Sequence, residues 1–157
     1  MWPGLFSNDE RLYDIANRVA HNTWELSEFL FNSCSISLGR IDGLKRGSIL
    51  QVPCHQRYGL KSESSLKATM KKLCQEGAYI GELGCCGLGG TFSLTHKGLS
   101  MAIFNSNIIE RIGIDDTYPQ MIATTCSGCL FRLRQCIDRE RNPHITACHL
   151  VDMFYLS

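Results

Sequence analysis

The chain has 157 residues, of which 44% are hydrophobic, and its 16 basic and 15 acidic residues leave a formal net charge of +1. This length is enough for one domain with a hydrophobic core, so we expect residues 1–157 to form a single domain. The balanced charge provides no basic patch for phosphates, which argues against a nucleic-acid partner. No run approaches the roughly 18 apolar residues of a membrane-spanning helix, and the first residues lack a signal peptide's charged region. We therefore expect a cytoplasmic protein.

Hydrophobic periodicity in the first third of the chain predicts one long helix followed by a strand. Residues 7–10 have the composition of a capping box, and apolar residues at helical spacing continue to about residue 32. The segment Ser48–Val52 predicts a buried strand that stops at Pro53, just before Cys54. The predicted buried stripe of the long helix is Leu12, Ile15, Val19, Leu26 and Leu30.

The middle of the chain repeats the alternation of helix and strand. A helix is predicted from Ser62 or Ser64 to about residue 76, with Leu66, Met70 and Leu73 inward, and a short strand follows at residues 78–80. The glycine-rich segment 84–90 then precedes a helix that ends at Gly113. The predicted buried stripe of that helix is Leu99, Ala102, Ile103, Ile109 and Ile112.

The last third predicts a strand at residues 121–124 and a helix from Cys126 to about Arg141, with Leu130, Leu133 and Ile137 inward. A strand at residues 144–146 and a C-terminal helix through Val151 and Phe154 complete the chain. Strands that alternate with helices form βαβ units. The pattern therefore predicts a small three-layer α/β domain with a mostly parallel sheet and helices on both faces.

Nine cysteines are far more than an ordinary intracellular domain carries. A disulfide framework belongs to short exported chains, whereas thiolate ligation of a metal fits a reducing compartment. Five of the cysteines follow predicted strands or begin predicted helices: Cys54, Cys85, Cys86, Cys126 and Cys129. Because the carboxyl ends of parallel strands meet at one edge of a sheet, we expect these five thiols to converge there and bind a metal centre.

The adjacent pair Cys85 and Cys86 favours an iron–sulfur cluster over a single zinc ion. Neighbouring residues rarely present both sulfurs to one tetrahedral ion, but they can bind two different irons. Structural zinc sites usually show two spaced cysteine pairs, and only Cys126 and Cys129 form such a pair here. Zinc held by a subset of the five thiols stays as the alternative.

Three segments together resemble a known family. Cys54-His55, the run from Cys85 to Ser93, and Cys126-Ser-Gly-Cys129 are similar to the cysteine-rich CCG domain of the heterodisulfide reductase type. The same domain occurs in the iron–sulfur subunits of glycolate oxidase, lactate dehydrogenases and anaerobic glycerol-3-phosphate dehydrogenase. The resemblance implies a [4Fe–4S] cluster, non-cubane in some members, ligated by the cysteines at all five positions.

The resemblance also implies partners and an activity. In the oxidase and dehydrogenase relatives, the domain relays electrons from a flavoprotein towards a quinone, whereas in heterodisulfide reductase it cleaves a disulfide. We therefore expect a flavoprotein dehydrogenase subunit or other redox subunits as partners, with any contact to the inner membrane made through them. The alternatives are disulfide reduction at the cluster and a zinc-stabilised interaction module.

The chain departs from the family pattern in two respects. Relatives commonly carry two copies of the cysteine motif and an upstream ferredoxin-like segment, and this chain has one copy and no such segment. It is therefore expected to correspond to the C-terminal half of a longer protein. The gap between Cys86 and Cys126 is also long, and residues 113–119 are expected to form a surface loop within it.

Residues outside the five-cysteine set have simpler interpretations. Buried cysteines usually act as small hydrophobic residues, so packing is expected for Cys34, Cys74, Cys136 and Cys148, the last two on helices. His55 is a donor to a cluster sulfur, a metal ligand or a loop residue. Surface positions are expected for Arg57 and Lys97, and no metal-binding role is expected for His149.

Overall fold

A computed structural model describes residues 3–32, 47–74, 78–112, 120–137 and 142–153. The strands of this part of the chain are β1 (Ser48–Gln51), β2 (Tyr79–Leu83), β3 (Gln120–Thr124) and β4 (Ile145–His149). Its α-helices are α1 (Glu10–Asn22), α2 (Leu26–Asn32), α3 (Glu63–Leu73), α4 (Phe92–Thr95), α5 (Lys97–Asn107) and α6 (Ser127–Cys136). A π-helical turn spans His55–Leu60, and 3-10 helices span Pro3–Phe6, Ile109–Arg111 and Leu150–Met153.

The described strands form one parallel sheet in the order β2-β1-β3-β4. The chain moves outward from β1 to β2, then crosses back to β3 on the other side of β1 and continues to β4. This reversal creates a topological switch point between β1 and β3, and in open α/β sheets such a point opens a crevice at the carboxyl ends of the strands.

Two hydrophobic clusters cover the two faces of the sheet. On one face α3 and the C-terminal 3-10 helix pack against the strands and bury Leu50, Val52, Leu66, Met70, Leu73, Leu150 and Met153. On the other face α5 and α6 bury Ile49, Leu83, Phe104, Ile108, Ile122, Leu133 and Ile137. The prediction of a small three-layer α/β domain with a parallel sheet is therefore confirmed.

The prediction of one long N-terminal helix is wrong. The Asp9 carboxylate accepts the backbone N–H of Leu12 at 3.0 Å, so α1 begins at Glu10 rather than at residue 7. The backbone becomes extended at Thr23, and the Glu25 carboxylate accepts backbone N–H groups at the start of α2. The predicted stripe is not a core face in α1, because Leu12, Ile15 and Val19 are 43%, 46% and 55% exposed.

The buried face of α5 also differs from the prediction. Leu99 is 57% exposed, whereas Ser100, Phe104 and Ile108 point into the core. These residues recur every four positions and so lie on one face of the helix. That face begins at Ser100, one residue after Leu99, with which the predicted stripe begins. The predicted end at Gly113 lies outside the described residues.

At the C-terminal end of the described chain the structure contains a strand where a helix was predicted. Cys148 and His149 belong to β4, which is longer than predicted, and a single 3-10 turn follows it. Phe154 lies outside the described residues. Among the described helices, none combines the length and apolar character that crossing a membrane requires.

Candidate metal centre

The cysteine segments follow three neighbouring strands at the carboxyl edge of the sheet. Cys85 comes shortly after β2, Cys54 after β1 and Cys126 after β3, where Cys126 is the N-cap residue of α6. Cys54 and Cys126 therefore leave the two strands that border the switch point. A parallel sheet can bring such segments together although they are far apart in sequence.

The five thiols form two groups of contacting sulfurs, Cys54 with Cys85, and Cys129 with both Cys86 and Cys126. The Sγ atoms of Cys86 and Cys129 lie 3.1 Å apart although the residues are 43 positions apart in sequence. The thiol of Cys54 is hydrogen-bonded to that of Cys85, and the thiol of Cys126 to that of Cys129. Cys86 and Cys129 are buried, and the other three are half-buried. Sulfurs from all three segments thus share one location.

Every cysteine that the structure describes is a free thiol. The 3.1 Å between the sulfurs of Cys86 and Cys129 is well beyond the roughly 2.05 Å of a disulfide bond. No group of three or more His, Cys, Asp or Glu side chains in the described ranges is arranged to hold a single metal ion.

The contacts between thiols shift their pKa values in opposite directions. A hydrogen bond from Cys129 lowers the pKa of Cys126 to about 5, and backbone N–H groups at the start of α6 act in the same direction. The thiol of Cys129 likewise lowers the pKa of Cys86 to about 7. The pKa of Cys129 itself is strongly raised, because its hydrogen bonds with Cys126 and Cys86 and its burial favour the protonated thiol. Burial raises the pKa of Cys54 to about 11.

Backbone N–H groups also point at the sulfurs. The N–H of Gly87 donates to Cys85 Sγ at 3.4 Å, and the first turn of α6 donates to the sulfur of Cys126. A helix N-terminus and free N–H groups stabilise negative charge nearby. The backbone around Cys85 and Cys126 is therefore suited to stabilise thiolates and an anionic metal centre.

Gly87 is required by the close packing of the cysteine loop against α5. Its φ of +71° is in the left-handed region, and a Cβ at this position would lie 2.5 Å from the backbone oxygen of Ser100. The hydroxyl of Ser100 in turn donates to the carbonyl of Gly87 at 2.7 Å, and the guanidinium of Arg132 donates to that hydroxyl at 2.8 Å. Helices α5 and α6 thus fix the loop that follows Cys86.

The fully buried side chain of Gln51 connects the three cysteine segments. Its amide nitrogen donates to the carbonyls of Val52 and Gly84, both at 3.0 Å. Its amide oxygen accepts from the Thr124 hydroxyl at 2.7 Å, and that hydroxyl accepts the backbone N–H of Cys126 at 3.3 Å. One side chain therefore links the backbones that lead to Cys54, Cys85 and Cys126.

A second buried glutamine, Gln56, joins the turn after Cys54 to α2 and to Thr125, the residue that follows β3. Its amide oxygen accepts from Thr125 at 2.6 Å, and its nitrogen donates to the hydroxyl of Ser27 at 3.2 Å. Sequence reasoning missed both glutamines. The available signal was a polar residue at position 51, within an otherwise apolar strand that immediately precedes a cysteine.

The remaining candidates lie around the thiols or away from them. His55 is exposed beside Cys54, and its charge contributes to the low pKa of Cys126. His149 Nε2 lies 2.9 Å from the carbonyl of Thr125. The packing expected for three cysteines is confirmed, because Cys74, Cys136 and Cys148 lie in or against the two hydrophobic clusters, and Cys34 is outside the described residues.

Comparison with known proteins agrees with this arrangement. The chain is 30% identical to Lactate utilization protein A 2 of Bacillus cereus over 159 residues, which cover 95% of this chain and 60% of that protein. It is 24% and 26% identical to Lactate utilization protein A of Bacillus velezensis and of Bacillus subtilis, with 97% of this chain and 63% of each relative covered. The chain thus spans about 60% of the length of these relatives.

No solved structure matches the chain significantly. The family model of the CCG cysteine-rich domain matches residues 49–134, which include all five cysteines of the candidate centre. This match covers more than half of the chain, and the protein therefore belongs to the CCG cysteine-rich domain family.

Proposed function

We propose that the chain holds an iron–sulfur cluster of the [4Fe–4S] kind through Cys54, Cys85, Cys86, Cys126 and Cys129. The observation that carries the proposal is the 3.1 Å contact between the buried sulfurs of Cys86, in the loop after β2, and Cys129, in the first turn of α6. The other described cysteines are spread over both hydrophobic clusters instead, as packing residues are.

The donor set fits such a cluster in two respects. Cysteine thiolates are the usual ligands of iron–sulfur clusters, and the low pKa of Cys126 supplies a thiolate at neutral pH. The adjacent Cys85 and Cys86 have different partners, because Cys85 contacts Cys54 and Cys86 contacts Cys129. Two adjacent cysteines that ligate different irons would need to have different neighbours in this way.

A bound cluster would supply one-electron transfer. The chain's own residues bury two of the thiols, direct backbone N–H groups at the sulfurs and leave the other three half-exposed. Donors to the sulfurs raise the reduction potential, and partial exposure leaves one side open to a redox partner. This role requires no side chain that acts as acid or base.

The names of the relatives suggest the pathway in which the electrons move. These proteins are called lactate utilization protein A. Our proposal is that this chain serves the oxidation of lactate or a related small organic acid, as an electron-transfer component of an oxidoreductase. It would accept electrons from a flavoprotein subunit and pass them towards a quinone, with membrane contact made through partner subunits.

Reconstitution without oxygen tests the cluster. The chain is incubated with iron and sulfide, desalted, and assayed for iron, acid-labile sulfide and an EPR signal after reduction. We expect about four irons per chain and a matching amount of sulfide. A colourless protein without iron would overturn the proposal, and zinc without labile sulfide would favour the structural alternative.

Matched serine variants assign the ligands. Cys86→Ser and Cys129→Ser should retain little iron, because each removes one of the two buried sulfurs in contact. Cys136→Ser is the control, since this half-buried thiol packs against the hydrophobic side chains between the sheet and helices α5 and α6. Equal loss of iron in all three variants would indicate unspecific binding.

A further inference from the structure

A pocket of about 570 Å³ opens beside the loop that follows Cys86, between α4, α5 and α6. Sites for small molecules are typically about 300–1,000 Å³, so its size is suitable. Apolar side chains form part of its wall, and two cationic side chains line the same space. The pocket is lined by the apolar side chains of Leu88, Leu94, Met101 and Phe131 and by the cations Lys97 and Arg132.

Arg132 is a buried cation without a carboxylate partner in the described part of the chain. The residue is 8% exposed, and none of the ion pairs found among described residues includes it. Its guanidinium donates to Ser100 and contacts the sulfur of Met101 at 3.1 Å, while its Nε has no hydrogen-bond acceptor among the described residues. Burying an unpaired charge is costly, so this position favours an anion beside it.

The rest of the pocket is complementary to an anion with an apolar body. Lys97 is exposed and lines the same pocket, and none of the described residues that line this pocket is acidic. Leu94 and Phe131 are 70% and 62% exposed, so apolar surface is available to a ligand. We propose that this pocket binds a small organic carboxylate with an apolar, aromatic-sized body, whose carboxylate lies against Arg132 and Lys97.

The pocket lies next to the candidate metal centre but is separate from it. The Leu88 side chain packs against the first turn of α6, where a Cβ on Gly128 would be 3.0 Å from it. Gly128 lies between Cys126 and Cys129, so Leu88 separates the pocket from that turn. Binding of a carboxylate in the pocket requires no iron–sulfur cluster. This proposal can therefore be tested independently of the function proposed above.

Calorimetric titration with 2-naphthoate tests the site, and the neutral 2-naphthylmethanol serves as the matched ligand. Both are titrated at low salt into the full chain, with and without reconstituted iron. We expect saturable binding of one naphthoate, about tenfold tighter than the alcohol, because only the carboxylate interacts with the two cations. Equal affinities, or no saturable binding up to about 5 mM, would overturn the proposal.

Charge variants locate the bound carboxylate. Lys97→Glu changes an exposed position and should weaken naphthoate binding about tenfold, and Arg132→Gln should weaken it further. Lys71→Glu on the exposed side of α3 is the control and should bind as the wild type does. If Arg132→Gln does not fold, the affinity of Lys97→Glu and the ratio of the naphthoate and naphthylmethanol affinities still test the proposal. An unchanged affinity in Lys97→Glu would contradict carboxylate binding in this pocket. Failure of the iron–sulfur proposal would be detected separately, as a lack of iron in the reconstituted chain.

Discussion

Gln51 illustrates how a single buried amide can organise a site that it does not touch. The side chain is fully buried at the end of β1, and its hydrogen bonds reach the backbone before Cys54 and before Cys85, and the hydroxyl of Thr124. Buried polar groups are costly unless they are paired, so all of these groups depend on the amide. We regard Gln51 as a positioning residue for the three cysteine loops.

Replacement of Gln51 by leucine should therefore destabilise the chain and disturb the thiols. Gln51→Leu keeps a similar volume but removes the donor to two carbonyls and the acceptor of the Thr124 hydroxyl, so we expect a loss of about 2–4 kcal/mol in the free energy of unfolding. Urea unfolding measures this loss, and the EPR line shape of the reconstituted chain reports on the loops. Gln135→Leu on the exposed side of α6 is the control. A loss below about 0.5 kcal/mol would contradict the role.

Gly87 permits a second, more local prediction. In Gly87→Ala the new Cβ would meet the Ser100 carbonyl at 2.5 Å, and alanine is disfavoured at a φ of +71°. We expect a loss of about 1–3 kcal/mol in unfolding free energy and poorer iron retention. Gly98→Ala, in α5 with nothing within 4 Å of the new Cβ, should be neutral or slightly stabilising. Equal behaviour of the two variants would contradict the close-packing argument.

At the scale of elements, ion pairs connect the turn after Cys54 to α3 and β2. Arg57 donates to Glu63 through two hydrogen bonds of 2.9 and 3.0 Å. Lys67 bridges Glu63 at 2.8 Å and Glu82 at 2.7 Å. Three secondary-structure elements around the candidate centre are thus joined by partly exposed charges.

This network predicts a pH-dependent contribution to stability. Hydrogen bonds from Arg57 and Lys67 hold the pKa of Glu63 below its usual value of 4.5. The carboxylate therefore contributes stability that is fully present above pH 4.5 and is lost as the pH falls through the lower pKa of the folded state. Glu63→Gln should be about 0.5–1 kcal/mol less stable than the wild type at pH 7, since the pair is partly exposed and screened by solvent.

Urea unfolding at several pH values tests this expectation. The difference between the wild type and Glu63→Gln should shrink as the pH falls below 4.5, because the wild-type carboxylate becomes protonated. Glu110→Gln, on the exposed 3-10 turn after α5, should match the wild type at pH 7. A difference for Glu63→Gln that stays constant down to pH 3 would show that its cause is not the carboxylate charge.

The elements that sequence could predict are those decided by local pattern. Short apolar runs predicted β1 and β3, and the rule for parallel sheets predicted that the five cysteines would meet at one edge of the sheet. That their strands are neighbours is seen only in the structure. The spacing of Leu66, Met70 and Leu73 predicted the buried face of α3 correctly. The apolar runs and the helical spacing are patterns of residues close together in sequence, so they could be recognised without the structure.

Other features depend on contacts between distant segments, which a single sequence does not reveal. The buried face of α5 is fixed by Phe104 in the core and by the bond from Ser100 to Gly87. Helix α2 begins anew because Glu25 caps it, and Ser27 is buried against Gln56. Periodicity alone favoured other faces in both helices.

At the scale of the whole molecule, the hydrophobic core and the candidate metal centre occupy different places. The two clusters that stabilise the sheet lie on its faces, whereas the five thiols lie beyond its carboxyl edge. The chain therefore buries a core of its own without any metal. A domain of this kind differs from zinc fingers, which lack such a core and unfold when the metal is removed.

Removal of the metal should consequently lower the thermal stability of the chain without unfolding it. The reconstituted and metal-free forms are compared by far-UV circular dichroism and by scanning calorimetry under reducing, oxygen-free conditions. We expect the same helical signal for both forms, but a Tm about 6–12 °C lower without metal, because a bound cluster adds about 3 kcal/mol by linkage. Cys86→Ser, which should hold little iron, is the control and should show no such difference. Loss of the helical signal on metal removal would instead indicate that the centre maintains the fold, as a structural zinc site does.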